Sequence, residues 1–254
     1  MVAEPLYRRV DGPEGAPVVV LSHALGSSFE MWQRVLTPLA TRYRVLRCDT
    51  RGHGRSPAPP GPYAIADLVA DQLGLLDTLG IDRASFVGLS MGGAVCMLLA
   101  ATAPERVDRL VLCSTAEKFG DPAGWLGRAA TVRDQGTEAL ADGTMERWFT
   151  PEFALREPDA VERIREIFTA TDAEGYAACC EAIAAWDFAH RLGEIAAPTM
   201  VVGGRRDPTV VPERSQALAA AIPGAALAII PDAAHLTAVS HPQELATAVL
   251  AHLG

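Results

Sequence analysis

Ala84-Ser-Phe-Val-Gly-Leu-Ser-Met-Gly-Gly93 is the stretch that decides the fold of this 254-residue chain. A short apolar run enters Gly88-Leu-Ser-Met-Gly92, and an apolar helical stretch, Ala94 to Ala101, leaves it at once. Strand, tight turn and helix in that order are the context a nucleophile elbow requires. So sharp a turn puts Ser90 in a strained backbone conformation. Side chains two residues before or after it would collide, and Gly88 and Gly92 remove the clash. Ser90 then projects its hydroxyl above the sheet edge at a helix N-terminus, where the dipole favours negative charge. A phosphate-binding loop is the competing reading, but the Gly-Lys-Ser/Thr of a Walker loop is absent.

Strand-like and helix-like segments alternate on both sides of the elbow. Upstream, Val18-Val-Val-Leu21 is a continuous apolar run, as a strand covered on both faces should be. It leads into Ser22-His-Ala-Leu-Gly26 and a helix around Met31 to Leu39, and Tyr43-Arg-Val-Leu46 runs into Asp49-Thr-Arg-Gly-His-Gly-Arg-Ser56. Ile65, Leu68, Val69, Leu73, Leu76 and Leu79 recur at helical spacing. Downstream, strands are expected at Arg109 to Cys113, Pro198 to Val202 and Leu227 to Ile230, with helices at Pro212 to Ala221 and Pro242 to Leu253. The rhythm predicts an α/β fold with a mostly parallel central sheet and helices on both faces.

Between Glu117 and His190 the rhythm breaks. No strong strand appears, only helix-like segments (Trp125 to Gln135, Asp159 to Ala170, Ala173 to Trp186) with Pro151, Pro158 and Gly175 between or near them. A helical insertion between two strands cannot sit inside the sheet, so it should cross one edge as a lid that excludes water. The expected organisation is therefore a core of residues 1–116 and 191–254 with a helical cap over 117–190.

Composition narrows the class. Apolar residues make up 49% and charged residues 21%, which is globular rather than disordered. The net charge is −9, and Lys118 is the one lysine among 22 basic residues. With no basic cluster interleaved with aromatics, nucleic acid is not an expected partner. Cys48, Cys96, Cys113, Cys179 and Cys180 are odd in number, lie mostly in apolar runs and form no CxxC pair. They read as core residues of a reduced compartment, and no metal site or cofactor is expected. No signal peptide or membrane span is visible, so a cytoplasmic protein is expected.

A serine hydroxyl needs a base, and the base needs an orienting carboxylate. The chain offers Ser90, Asp207 and His235 in that order, the last two just past strand ends, where open α/β sheets place their sites. Glu117 and Asp232 are the other carboxylates to weigh. Asp232 is close enough to His235 to cap its turn rather than meet the far ring nitrogen. The oxyanion needs two amides: Met91, next to the nucleophile, and Leu25 in the turn after Leu21. His23 and His53 are expected to brace their loops by hydrogen bonding.

With these residues in place the chain resembles the α/β-hydrolases, and within them the 3-oxoadipate enol-lactonases. The general motifs are Asp49 to Ser56 and Gly88 to Gly93; the narrower likeness lies in four other stretches. These are Leu21-Ser-His-Ala-Leu-Gly26 with Met31-Trp32, Pro104 to Cys113, Glu146-Arg-Trp-Phe-Thr-Pro151, and Gly175-Tyr-Ala-Ala-Cys-Cys-Glu-Ala-Ile183. Ser114 stands where that likeness leads one to expect Asn. The resemblance implies a small-molecule substrate, an unsaturated five-membered lactone bearing a carboxymethyl group. Its carboxylate needs a cation. Arg133 is the chosen candidate, Arg128 and Arg147 are others, and Trp125 and Trp148 could line the apolar part of the pocket. A carboxylesterase or C–C bond hydrolase with the same three residues is the alternative enzyme, and a non-catalytic ligand receptor is the alternative outside enzymes.

Overall fold

The computed structural model describes residues 6–254. In chain order its elements are β1 (Arg8–Asp11), β2 (Val18–Ser22), α1 (Gln33–Ala40), β3 (Arg44–Cys48), α2 (Ile65–Thr78), β4 (Ala84–Leu89), α3 (Met91–Thr102) and β5 (Val107–Cys113). Five helices follow: α4 (Pro122–Gln135), α5 (Ala141–Trp148), α6 (Pro151–Arg156), α7 (Pro158–Thr169) and α8 (Ala173–Ala184). The chain then closes through β6 (Thr199–Gly204), α9 (Pro212–Ala221), β7 (Ala226–Ile230), α10 (Thr237–Ser240) and α11 (Pro242–Leu253).

The strands form one seven-stranded sheet in the order β1-β3-β2-β4-β5-β6-β7, parallel except for β1, which pairs antiparallel with β3. This is the expected α/β sheet flanked by helices, with a helical insertion between β5 and β6. Its middle strand is β4, all six residues of which are buried. The helix that follows, α3, is apolar nearly all round and buried along most of its length, as a helix enclosed by the core must be.

Topology places the site. From β2 the chain steps to β3 on one side, and β4 then joins β2 on the other, so the strand order reverses between β2 and β4. Loops leaving adjacent strands at such a point diverge and open a crevice at the carboxyl ends. Register pairs Ser22 with Gly88, Leu89 with Cys113, and Cys113 with Val202. The loops leaving β2, β4, β5 and β6 at that end therefore start at nearly one level.

The described structure adds elements the periodicity missed. Strand β1 is four residues long, three of them charged, and its support comes from outside itself: the buried Arg47 guanidinium on β3 binds Asp11 at 2.7 Å. Within the insertion, Pro151 and Pro158 do not separate helices but start them, as the first residues of α6 and α7. Proline fits there because an amide at that position has no intrahelical acceptor.

Candidate active site

Ser90 joins β4 to α3 with φ 57° and ψ −118°, outside the basins that side-chain-bearing residues favour. The surrounding backbone holds it there. Ser90 N–H donates to the Cys113 carbonyl (2.9 Å), and its own carbonyl accepts from the Thr115 hydroxyl (2.7 Å) and the Gly93 amide (2.8 Å). The glycines are needed for space: a Cβ on Gly88 would stand 2.3 Å from the Gly92 carbonyl oxygen, and one on Gly92 would stand 2.2 Å from that of Ser22. That second contact also presses the loop after β2 against the elbow.

His235 and Asp207 come from the loops after β7 and β6. His235 Nδ1 donates to Asp207 Oδ2 at 2.8 Å, with both residues 2% exposed. The other carboxylate oxygen, Oδ1, accepts the amides of Thr209 (2.8 Å) and Val210 (3.0 Å), which fixes the carboxylate plane. Of the competing carboxylates, Glu117 is engaged by Arg214 at 2.7 Å and Asp232 lies exposed at a φ of 57°. The Leu236 amide, next to His235, donates to the Trp148 carbonyl at the end of α5 (3.1 Å), so the histidine loop is stitched to the insertion.

Ser90 and His235 line one small cavity of about 50 Å³. Ala24, Leu25 and Thr209 contribute from the core loops; Trp125, Arg128, Arg147, Trp148 and Tyr176 contribute from α4, α5 and α8. The amides expected to serve an oxyanion are those of Leu25, which lines this cavity, and Met91, which follows Ser90. Met91 opens α3, so its N–H has no acceptor within the helix. On either side of Leu25 the amides are committed, Ala24 to Met31 Sδ and Gly26 to His53 Nε2 (2.9 Å).

His23 and His53 do brace these loops. His23 Nε2 accepts the Thr50 amide (2.9 Å) and its Nδ1 donates to the Ala24 carbonyl (2.8 Å); His53 Nδ1 donates to the Arg51 carbonyl (3.1 Å). A ring nitrogen that accepts an amide carries no proton, so both rings are neutral. Burial pushes His23 down to about 4; burial, and then the His23 charge, push His53 down to about 3. The unfolded chain takes up these two protons near the ordinary histidine value of 6.5 while the folded chain does not. Stability should therefore be complete above pH 6.5 and fall on acidification by roughly 1.4 kcal/mol per pH unit per ring down to about pH 4. Asp49, raised by its own burial, offsets part of the loss at the acid end. Urea unfolding between pH 7 and 4.5 measures it, and a flat profile refutes it.

The structure corrects one expected site residue. Arg133 does not line the cavity; it is on the outer side of the insertion, held by Glu174 (2.7 Å) and by Glu181. Five residues beyond Arg128, it sits roughly 140° further round α4, so the two cannot share a face. Arg128 and Arg147 take the lining positions, and among the described residues neither has a carboxylate within salt-bridge distance. Both reach the buried Thr144 hydroxyl, at 2.8 and 3.3 Å, and Arg128 Nε also donates to Tyr176 Oη at 2.5 Å. Burial, and then the nearby Arg128 charge, hold the Arg147 guanidinium below its ordinary value. Trp125 and Trp148 line the cavity as expected; Trp125 Nε1 donates to the Phe119 carbonyl, and Trp148 meets the Phe168 ring edge-on. Sequence reasoning missed Tyr176, Thr144 and Thr209. Tyr176 lies within a stretch that carries the resemblance, but its contacts are made only by the folded chain. Among the described residues no helix is long and apolar enough to cross a membrane, and no group of three or more His, Cys, Asp or Glu side chains could hold a metal ion.

Comparison with known proteins bears on the fold and family of the chain. The alpha/beta hydrolase fold family matches residues 17–242. A 3-oxoadipate enol-lactonase of Acinetobacter baylyi is 38% identical over 94% of this chain and 89% of its own length. The crystal structure of an enol-lactonase from Burkholderia xenovorans superposes with a TM-score of 0.96 at 43% identity, over 98% of this chain and 96% of that one. A malate-bound thermophilic esterase from Thermogutta terrifontis gives 0.92 at 30% identity, over 98% and 92%.

Proposed function

Since the chain belongs to the α/β-hydrolase family, we propose that it is a serine hydrolase opening 3-oxoadipate enol-lactone, an unsaturated five-membered lactone with a carboxymethyl arm, to 3-oxoadipate. One observation carries this reading: the His235–Asp207 pair and Ser90 meet at a cavity whose far wall holds two arginines without carboxylate partners. The first supplies acyl-transfer chemistry, the second a seat for the arm's carboxylate. The likeness to the Acinetobacter and Burkholderia enol-lactonases over nearly the whole chain supports the same substrate.

In this reading Ser90 Oγ attacks the lactone carbonyl carbon while His235 Nε2 takes its proton. Asp207 holds the Nδ1–H tautomer and stabilises the imidazolium that forms. The Leu25 and Met91 amides hold the tetrahedral oxyanion. Collapse breaks the ring C–O bond, His235 returns the proton to the departing enolate oxygen, and the enol ketonises, which makes the step irreversible. Water, deprotonated by His235, then cleaves the Ser90 ester and releases the second carboxylate. At about 50 Å³ the cavity is far below the ~300 Å³ at which ligand pockets begin. Substrate entry therefore requires the cavity wall formed by the insertion to open.

An esterase acting on a simpler acyl compound is the second reading, favoured by the likeness to the Thermogutta esterase. Enol-lactone and neutral aryl acetates, assayed side by side, decide between them. A kcat/KM for the lactone no better than for the acetates removes the first reading. Arg128→Gln is expected to lower kcat/KM for the lactone by roughly 10- to 100-fold, the worth of a charged hydrogen bond. Neutral acetates should lose far less, and an equal loss on both would show that Arg128 does not seat the carboxylate. The five buried free thiols support a reducing compartment, the cytoplasm, as its place of action.

A further inference from the structure

Arg128 does more than face the cavity. Its Nε–H is spent on the phenol oxygen of Tyr176 (2.5 Å) and one Nη2 hydrogen on Thr144 (2.8 Å), which leaves Nη1 for a ligand. Tyr176 is 1% exposed; its ring meets the Phe168 ring edge-on at 5.5 Å and has two neighbours in the proposed oxyanion loop or its brace. One is Gly26: a Cβ there would stand 2.8 Å from Tyr176 Cε2 and 2.7 Å from Phe168 Cδ2, so the glycine backbone lies directly on the two rings, at a φ of 71°. The other is His53, 6.5 Å away between ring centroids, whose Nε2 accepts the Gly26 amide. Gly26 follows Leu25, whose amide is the proposed oxyanion donor. A continuous line of contacts thus runs from the guanidinium through one phenol to the peptide that must be held still while charge develops.

We propose that Tyr176 is a positioning residue that couples capture of the substrate carboxylate at Arg128 to the placing of the Leu25 amide. The inference rests on the reading of Arg128 as the carboxylate seat. A bound carboxylate fixes the Arg128 fork; the fork fixes the phenol, and the phenol ring fixes Gly26. An anionic substrate then gains in turnover as well as in binding, because the oxyanion donor is held before the reaction starts.

The test compares two esters of one phenol, a neutral aryl acetate and an aryl hemisuccinate with a free carboxylate, in wild type, Tyr176→Phe, Arg128→Lys and Arg128→Gln. Tyr176→Phe keeps the ring and removes only the hydroxyl that accepts from Arg128. It is expected to cut the hemisuccinate-to-acetate ratio of kcat about tenfold, within the usual range for coupling between sites, with a smaller change in the ratio of KM. A merely structural tyrosine would lower kcat on both esters in parallel and leave the ratio intact, which overturns the proposal. Arg128→Lys leaves the buried tyrosine in place, keeps the charge and lacks the Nε–H fork. It should hold the hemisuccinate KM within a few fold yet lose the same kcat advantage, and a kcat advantage retained there also overturns the proposal. If Arg128→Gln leaves the preference for hemisuccinate untouched, the carboxylate seat itself is wrong, a failure separate from that of the coupling.

Discussion

Ser90→Ala is expected to abolish turnover of the enol-lactone, by about 10⁶-fold, the scale found when a serine nucleophile working with its base is removed. The substitution is clean because alanine keeps the Cβ. The φ of 57° costs alanine about what it costs serine, and the bonds that hold the elbow run through the backbone. Thermal unfolding should move little, which separates lost chemistry from lost structure. Disappearance of the lactone's ultraviolet absorbance reads the rate directly. A variant keeping more than about a hundredth of the wild-type rate would leave the proposed acyl-enzyme without its nucleophile.

Asp207→Asn should lower kcat by about 10⁴-fold with the fold intact. Asn Oδ1 can still accept the Thr209 and Val210 amides, so the turn keeps its shape. The change is felt at the other atom. Oδ2, which accepts from His235 Nδ1 at 2.8 Å, becomes an amide nitrogen that donates. His235 must then carry its proton on Nε2, the atom that has to be bare to accept one from Ser90. Steady-state kinetics beside a melting curve tests this, and near-normal turnover would mean that the buried carboxylate is not the orienting group. The structure leaves the other candidates badly placed, since Glu117 is tied to Arg214 and Asp232 is exposed.

What could be read in the sequence follows from which signals are local. Strands buried on both faces print themselves as apolar runs, so β2, β4, β5 and β6 were legible, as were α9 and α11 with a proline at each start. The elbow was legible because a steric requirement fixes the residues around Ser90 one by one. Strand β1 was not, because its charged residues are held by a partner on β3. Helices α5 and α6, eight and six residues long, are too short for a periodic signal, and the prolines that begin α6 and α7 look like breaks. Arg133 drew the carboxylate role on charge and position in the insertion alone; only helical phase and the glutamates of α8 show that it points elsewhere. Thr144 and Tyr176 act through partners 16 and 48 residues away, and no spacing rule reaches that far.

The bond from the Leu236 amide to the Trp148 carbonyl has a consequence for how such a protein can diversify. The cavity wall proposed to select the substrate and the loop that carries the imidazole share a main-chain tether, and no side-chain replacement on either partner removes it. Grafting a foreign helical insertion in place of α4 to α8 would therefore shift His235, the proposed general base, unless the graft restored a carbonyl at that point. New specificities should be easier to reach by exchanging side chains on α4, which bears no such tether to the histidine loop, than by replacing the whole cap.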